Sequence, residues 1–236
     1  MSRNFKAWIR KSIPAWVKRF VSYSDEVEFG TISFSQFGED MILRNLFLGK
    51  KDGFYVDVGA HDPIRYSNTY YFYKQGWSGI VIDPLPGAFS RFAAIRPRDI
   101  ALSIGISDEP GELQYYCFSQ SLYNTFSSEQ AGKVEMTGNP LQEVLTIPVR
   151  RLDDVLECYL PKGHSLDLLS IDAEGYDLHI LRSNNWVAFK PKTIVVENLS
   201  IDPSRLEQDE ICKFLNKLNY SLVGFTHMSL FFKLDN

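Results

Sequence analysis

Carboxylates stand at the ends of several short apolar runs in this 236-residue sequence. Phe54 to Val58 contains Asp57 and leads into Gly59-Ala60-His61-Asp62, and Gly79 to Ile82 is closed by Asp83. Leu166 to Ile171 ends at Asp172 with Glu174 just beyond, and Thr193 to Val196 ends at Glu197. Carboxylates in such places can accept hydrogen bonds from ligand hydroxyls, attract a cation, take a proton or hold a metal ion. At the first exit, Gly59 offers a tight turn or a close backbone approach, but the three glycines that cradle a dinucleotide pyrophosphate are absent. Asp57 and Asp62 would repel a pyrophosphate and attract an ammonium or sulfonium, which favours a cationic cofactor such as S-adenosylmethionine. Asp83 follows Asp57 by 26 residues, near the spacing at which such folds present a carboxylate to ribose hydroxyls.

Asp172, Glu174 and Glu197 are the candidates for work on an acceptor. One of them could act as general base, or together they could hold Mg²⁺, whose charge would acidify a bound hydroxyl. The plainer readings are a first-turn helix acid for Glu174 and a strand-end residue paired with a cation for Glu197. His61, His164 and His179 could also take a proton; His61 lies beside the cofactor turn, whereas His179 reads as a helix-face residue.

The elements that must position these groups alternate. Ser35 caps a helix through Leu48, Phe54 to Val58 is a strand, Ser67 to Gln75 a helix and Gly79 to Ile82 a strand. Ile100 to Ile106 and Leu113 to Phe118 read as extended. The polar, aperiodic stretch Ser119 to Pro140 reads as a long loop, and loops of that length in compact domains are more often functional than decorative. Val149 to Leu156 leads into a short helix, Leu166 to Ile171 is a strand and Leu178 to Phe189 a helix. Thr193 to Val196 is a strand, followed by a helix around Glu207 to Leu218. The strands Ser221 to Phe225 and Ser229 to Lys233 are too close for a helical crossover and should form a hairpin. Short apolar strands alternating with helices predict an α/β fold: a mostly parallel sheet, helices on both faces, and an antiparallel strand at the end.

The length and the 44% hydrophobic content suit one domain with a short appendage. Residues 1–24 carry Arg3, Lys6, Arg10, Lys11, Lys18 and Arg19 with no acid, a local +6, which leaves −10 on residues 25–236 out of a net −4. An acidic body argues against a nucleic-acid partner. In the leader Phe5, Trp8, Ile9, Ile13, Trp16, Val17 and Phe20 recur at helical spacing around Pro14, so it reads either as an interfacial membrane helix or as a segment packed on its own domain or on a second subunit of a homo-oligomer. Cys117, Cys158 and Cys212 suit neither a disulfide framework nor a zinc site. No stretch has the length of an uncharged membrane span, and the start lacks the pattern of a signal peptide, so a cytoplasmic setting, either free or at the inner face of the membrane, is expected.

The blocks FSQFGEDMIL, FYVDVGAHDP, RYSNTYYFYKQGWSGIVIDPLP, IALSIGISDEPG, RLDDVL, LDLLSIDAEGYDLHIL and PKTIVVEN, running from Phe34 to Asn198, resemble the FkbM-type family of S-adenosylmethionine-dependent methyltransferases. The resemblance implies a class I methyltransferase fold, Rossmann-like, with a seven-stranded sheet whose last strand is reversed. It also implies methyl transfer to a hydroxyl oxygen, and the company the family keeps suggests a sugar in polysaccharide or glycan assembly. By position it implies that Asp57, Gly59 and Ala60 line the methionine end with Ser67, Asn68 and Thr69 nearby. Asp83 would take the ribose, and Ser103 with Ile104 would flank the adenine, although a longer polar side chain often stands where this chain has Ser103. Two rivals remain: a nicotinamide-dependent oxidoreductase on a similar sheet, disfavoured by the missing glycines, and a cofactor-binding protein without catalysis.

Overall fold

Five short runs rich in β-branched and aliphatic residues form five adjacent strands of a seven-stranded sheet, from one edge inwards. In the computed structural model, which describes residues 30–235, these are β1 (Phe54–Val58), β2 (Ser78–Ile82), β3 (Ile100–Leu102), β7 (Leu168–Ile171) and β8 (Thr193–Glu197). The basic leader lies outside the described residues. The chain divides into two units, 1–33 and 34–236, and both sheets and the helices around them belong to the second.

The five strands run parallel in the order β3-β2-β1-β7-β8, and the sheet is completed by β10 (Ser229–Leu234) and β9 (Tyr220–Phe225). The last strand in the chain, β10, is antiparallel to both its neighbours and forms the expected hairpin with β9. It slots between β8 and β9, so the reversed strand is the last in sequence but the second from the edge. The register is what matters for function. Val58 pairs with Ile82 and Ile171, Ile82 with Leu102, and Ile171 with Val196, so the parallel strands end level with one another. Strand order reverses between β2-β1 and β7-β8, which opens a crevice at the carboxyl ends of β1 and β7.

Alternation along the strands makes two cores. Val56, Ile80, Leu169, Ile194 and Phe232 face α5 (Leu152–Tyr159), α6 (Asp177–Arg182) and α7 (Glu210–Asn216), through Val155, Ile180 and Leu215 among others. Tyr55, Val81, Leu168, Val195 and Phe231 face the other way, towards Leu43 of α1 (Glu39–Leu46), Phe72 of α2 (Tyr70–Lys74) and Phe92 of α3 (Ala88–Ile95). Each such fully buried side chain contributes roughly 1.5 to 3 kcal/mol of transfer free energy.

Several elements differ from expectation. The first helix starts at Glu39, with Gly38 at φ 87° as its cap; Ser35 instead exchanges hydrogen bonds with Asp40, its Oγ accepting from Asp40 N and donating to Oδ1. Ile100 to Ile106 splits into β3 and β4 (Gly105–Ile106), and α3 is a helix beyond those expected. β4 joins a separate sheet, order β4-β6-β5, with β5 (Gly111–Phe118) antiparallel to β6 (Leu141–Arg150). The expected loop from Ser119 to Pro140 contains a 3₁₀ turn at Ser121–Tyr123 and α4 (Ser128–Met136), which Ser127 caps by accepting from Gln130 N. α4 buries only Ala131 and Val134, a stripe too narrow to register as periodicity.

Candidate functional site

Gly59 sets the crevice. At φ 80° its Cα sits so close to the Asp172 backbone that a Cβ would lie 1.7 Å from that carbonyl oxygen. The amides of Gly59 and Ala60 both donate to Ile82 O, at 2.9 and 3.1 Å, and Asp172 N donates to Val58 O at 2.9 Å. Three strand exits are thereby pinned together, and a cavity of about 710 Å³, partly open to solvent, lies above them.

From the sheet its wall is made by Gly59, His61, Asp83, Ile104, Asp172 and Glu174. Asp83 is held by two backbone amides, Leu85 N on Oδ1 and His61 N on Oδ2, each at 2.8 Å. Burial raises its pKa, and those two amides oppose the shift. His61, at φ 46°, shares a hydrogen bond of 3.0 Å between Nε2 and Ser121 Oγ, while its Nδ1 is buried without a partner in the protein. A further wall comes from the second sheet and the turn beside it: Tyr115, Ser121, Leu122, Asn124 and Phe126. The segment carrying them is anchored at both ends, by Ser121 to His61 and by Thr125 Oγ1 donating to Glu174 O at 2.9 Å. Sequence reasoning named none of these five residues individually, although the expectation that Ser119 to Pro140 would be functional points to the segment that supplies four of them.

The other expected cofactor residues lie elsewhere. Asp57 faces the opposite side of the sheet, where its carboxylate accepts from Thr69 Oγ1 near the buried Arg96. Arg96 donates to Asp99, Tyr55, Ser67 and Thr69, so Ser67 and Thr69 belong to a buried network behind the crevice. Asp62 accepts from Ile64 N and Arg65 N and pairs with Arg91. Asp62 is therefore already paired with an arginine and Asp57 points away from the crevice, so the charge argument for a cationic cofactor does not hold at those two positions. Asn68 donates to Ser170 Oγ and lines a smaller adjoining cavity with Asp172 and Glu197. Ala60 is buried outside the cavity wall, and Ser103 is exposed while its neighbour Ile104 lines the cavity.

Asp172, Glu174 and Glu197 do come together: one ligand atom from each lies within 4.8 Å of the others. The turn that achieves this has Glu174 at φ 50° and Gly175 at φ 89°, and is folded by the Asp177 carboxylate accepting from Ala173 N and Gly175 N at 3.0 and 3.1 Å. Glu174 N in turn donates to Glu197 Oε2 at 3.2 Å. Burial, followed by repulsion from Asp177 and other acids, pushes Asp172 up to about 7, while burial and Asp172 push Glu174 up to about 9. Asp172 can thereby receive a proton at neutral pH, whereas Glu174 already holds one. Of the other histidines, His179 bonds Asp108 at 3.0 Å and stacks on Tyr176, as a helix-face residue would. His164 packs edge-on against Phe54, at the opposite end of β1 from the crevice.

The Methyltransferase FkbM domain matches residues 57–222. The chain belongs to the FkbM methyltransferase family. It is accordingly an S-adenosylmethionine-dependent methyltransferase, and the nicotinamide alternative falls. No curated protein matches the sequence. Among solved structures, this FkbM methyltransferase is similar to a TehB-like SAM-dependent methyltransferase from Corynebacterium glutamicum ATCC 13032 Kitasato. The two are 10% identical over 93% of this chain and 96% of that one, with a TM-score of 0.42.

The crevice suits the family's cofactor on its own evidence. Gly59 gives a backbone edge with no side chain, Asp83 offers carboxylate lone pairs for vicinal hydroxyls, and the unpartnered Nδ1 of His61 leaves a polar atom for a ligand to satisfy. Among the described residues no helix is long and apolar enough to cross a membrane.

Proposed function

We propose that this methyltransferase acts on a hydroxyl oxygen, and that the acceptor is a sugar in polysaccharide or glycan assembly. The observation that carries the reading is the group Asp172, Glu174 and Glu197 at the edge of the cavity, with Asp172 pushed up to about 7, where a carboxylate can take a proton at neutral pH. S-adenosylmethionine, when bound, supplies the methyl group as a sulfonium open to in-line displacement. Gly59, His61, Asp83 and Ile104 hold it in this reading, with Asp83 on the ribose hydroxyls. Asp57, Ala60, Ser67 and Thr69 shape the site from behind, and Asn68 lines the cavity that adjoins it. An alcohol must lose its proton as the new C–O bond forms, and Asp172 is placed to take it, with burial and the Asp177, Asp57 and Glu39 carboxylates keeping its basicity high. His61, beside the same cavity, is the second candidate for that proton.

The 4.8 Å cluster also favours a second reading, in which the three carboxylates hold Mg²⁺ and the acceptor hydroxyl is acidified by its charge. The two readings separate in one assay. Transfer of a labelled methyl group to a panel of sugars should survive chelation by EDTA if a carboxylate is the base, and should be lost and restored by Mg²⁺ if a metal is held. Absence of transfer to any hydroxyl compound, with transfer to an amine or carboxylate instead, would overturn the oxygen assignment.

The basic leader fits an enzyme that meets its acceptor at the cytoplasmic face of a membrane. Deleting residues 1–24 should abolish sedimentation with anionic liposomes. Unchanged sedimentation would remove the membrane from this reading and leave packing on the domain or on a second subunit.

A further inference from the structure

A second concavity opens on the other side of the Ala173-Glu174-Gly175 turn. It is a broad groove of about 1410 Å³ including open solvent, and it reaches the cofactor crevice by shared residues. Glu197 and Met228 belong both to the groove and to the small cavity beside Asp172, and Asp172 in turn belongs to the cofactor cavity. The groove narrows at Gly175, where Gln130 of α4 and Leu199 approach from either side, each 3.6 Å from where a Cβ would stand.

The charge on this lining is one-sided. Among the described residues its titratable groups are Glu129, Lys133, Asp177, Glu197, Asp209 and Glu210, and the single cation of these, Lys133, is already paired with Glu129 at 2.8 Å. Phosphate recognition needs free Arg or Lys or open backbone amides. The helix starts at the groove offer none: Ser127 accepts from Gln130 N, and Asp209 accepts from Cys212 N and from Asn198 Nδ2. What remains is hydrogen-bonding capacity on Gln130 and Ser200 facing apolar patches of Leu199, Ile211 and Met228, a mixture that suits a molecule carrying both hydroxyls and C–H faces.

We propose that this groove is the acceptor site and that it takes an uncharged saccharide, discriminating against phosphorylated and nucleotide-linked sugars. Methylation would then follow the glycosyl-transfer step that removes the nucleotide, not precede it. The inference rests on the reading of the carboxylate cluster as the place of methyl transfer to a sugar hydroxyl.

The test uses the full chain loaded with S-adenosylhomocysteine, whose own binding is first shown by calorimetry. Saturation-transfer NMR titrations then compare methyl glycosides of rhamnose, fucose, mannose and glucose with dTDP-rhamnose, GDP-fucose, GDP-mannose and UDP-glucose. At least one uncharged glycoside should bind about tenfold more tightly than its nucleotide-linked counterpart. The double variant E129K/E210K should narrow that ratio at least about threefold, through tighter binding of the anionic compound. Gln130→Trp, which fills the groove at Gly175, should cost the glycoside about tenfold in affinity while the affinity for S-adenosylhomocysteine holds. The reverse preference, a ratio indifferent to the charge reversal, or binding of no sugar by protein that does bind S-adenosylhomocysteine overturns the proposal. Failure of S-adenosylhomocysteine to bind would instead strike the cofactor site itself.

Discussion

Asp172 carries the heaviest chemical assignment, and its surroundings set what it should do. Because burial and neighbouring acids hold its proton until about pH 7, the free enzyme gains its base only as the pH rises. We expect kcat/KM to climb through that range and the climb to disappear in Asp172→Asn, with kcat falling roughly 100-fold or more. A pH profile identical in the variant would move the proton to His61 or to a metal-bound hydroxyl. Gly59 offers a test of geometry alone. A Cβ there would meet a backbone carbonyl that cannot step aside, at a φ that L residues rarely adopt, so Gly59→Ala should cost well over about 1 kcal/mol and separate the β1 and β7 exits. Urea denaturation reads this directly, and an unchanged midpoint would mean that the two exits are not locked. Gly59, Asp83 and Asp172 were legible in the sequence because each directly follows a short apolar run. The facing of Asp57 is not legible in the same way, because strand alternation turns it to the opposite face, near Arg96, 39 residues on.

At the scale of elements, the register of β1, β2, β7 and β8 brings the acids to one level, and buried runs of Val and Ile announce those strands. The second sheet was hidden for a physical reason. β6 has one solvated face, its apolar Leu145, Ile147 and Val149 alternate with Thr146 and Pro148, and its stability comes from pairing with β5 rather than from burial of both faces. That sheet and its 3₁₀ turn form the wall over the cofactor cavity, so the part of the site missed from sequence is the part built by long-range pairing. Thr125 ties the wall to the β7 exit, donating to Glu174 O and accepting from Ser127 N. Thr125→Val should therefore lower stability by about 1 to 2 kcal/mol for two lost hydrogen bonds and speed the dissociation of S-adenosylhomocysteine. Stopped-flow release at the wild-type rate would show that this wall does not retain the cofactor.

Across the whole molecule, the buried acids make stability depend on pH in a definite direction. Asp172, Glu174, Asp177 and Glu197 all have raised pKa values, so the folded state binds their protons longer than the unfolded chain does. Their contribution is fully present below about pH 4 and is lost as the pH rises towards about 9. Asp62, held low by its backbone amides and Arg91, acts oppositely and only in the acid limb. The ligand-free protein should thus lose stability between about pH 5 and 9, less steeply in Glu197→Gln, and Mg²⁺ should restore it at pH 8 only if the cluster holds a metal. A flat profile in the wild type would place those carboxylates in water.

The most direct measurement is thermal unfolding of the full chain with S-adenosylhomocysteine and, separately, with NAD⁺, in the wild type and in Asp83→Ala. Ligand at about 100 times its dissociation constant should stabilise the protein by roughly 2.7 kcal/mol. The account predicts a rise with S-adenosylhomocysteine, none with NAD⁺, and loss of most of the rise in Asp83→Ala. A rise with NAD⁺ alone, or an undiminished rise in Asp83→Ala, would contradict it.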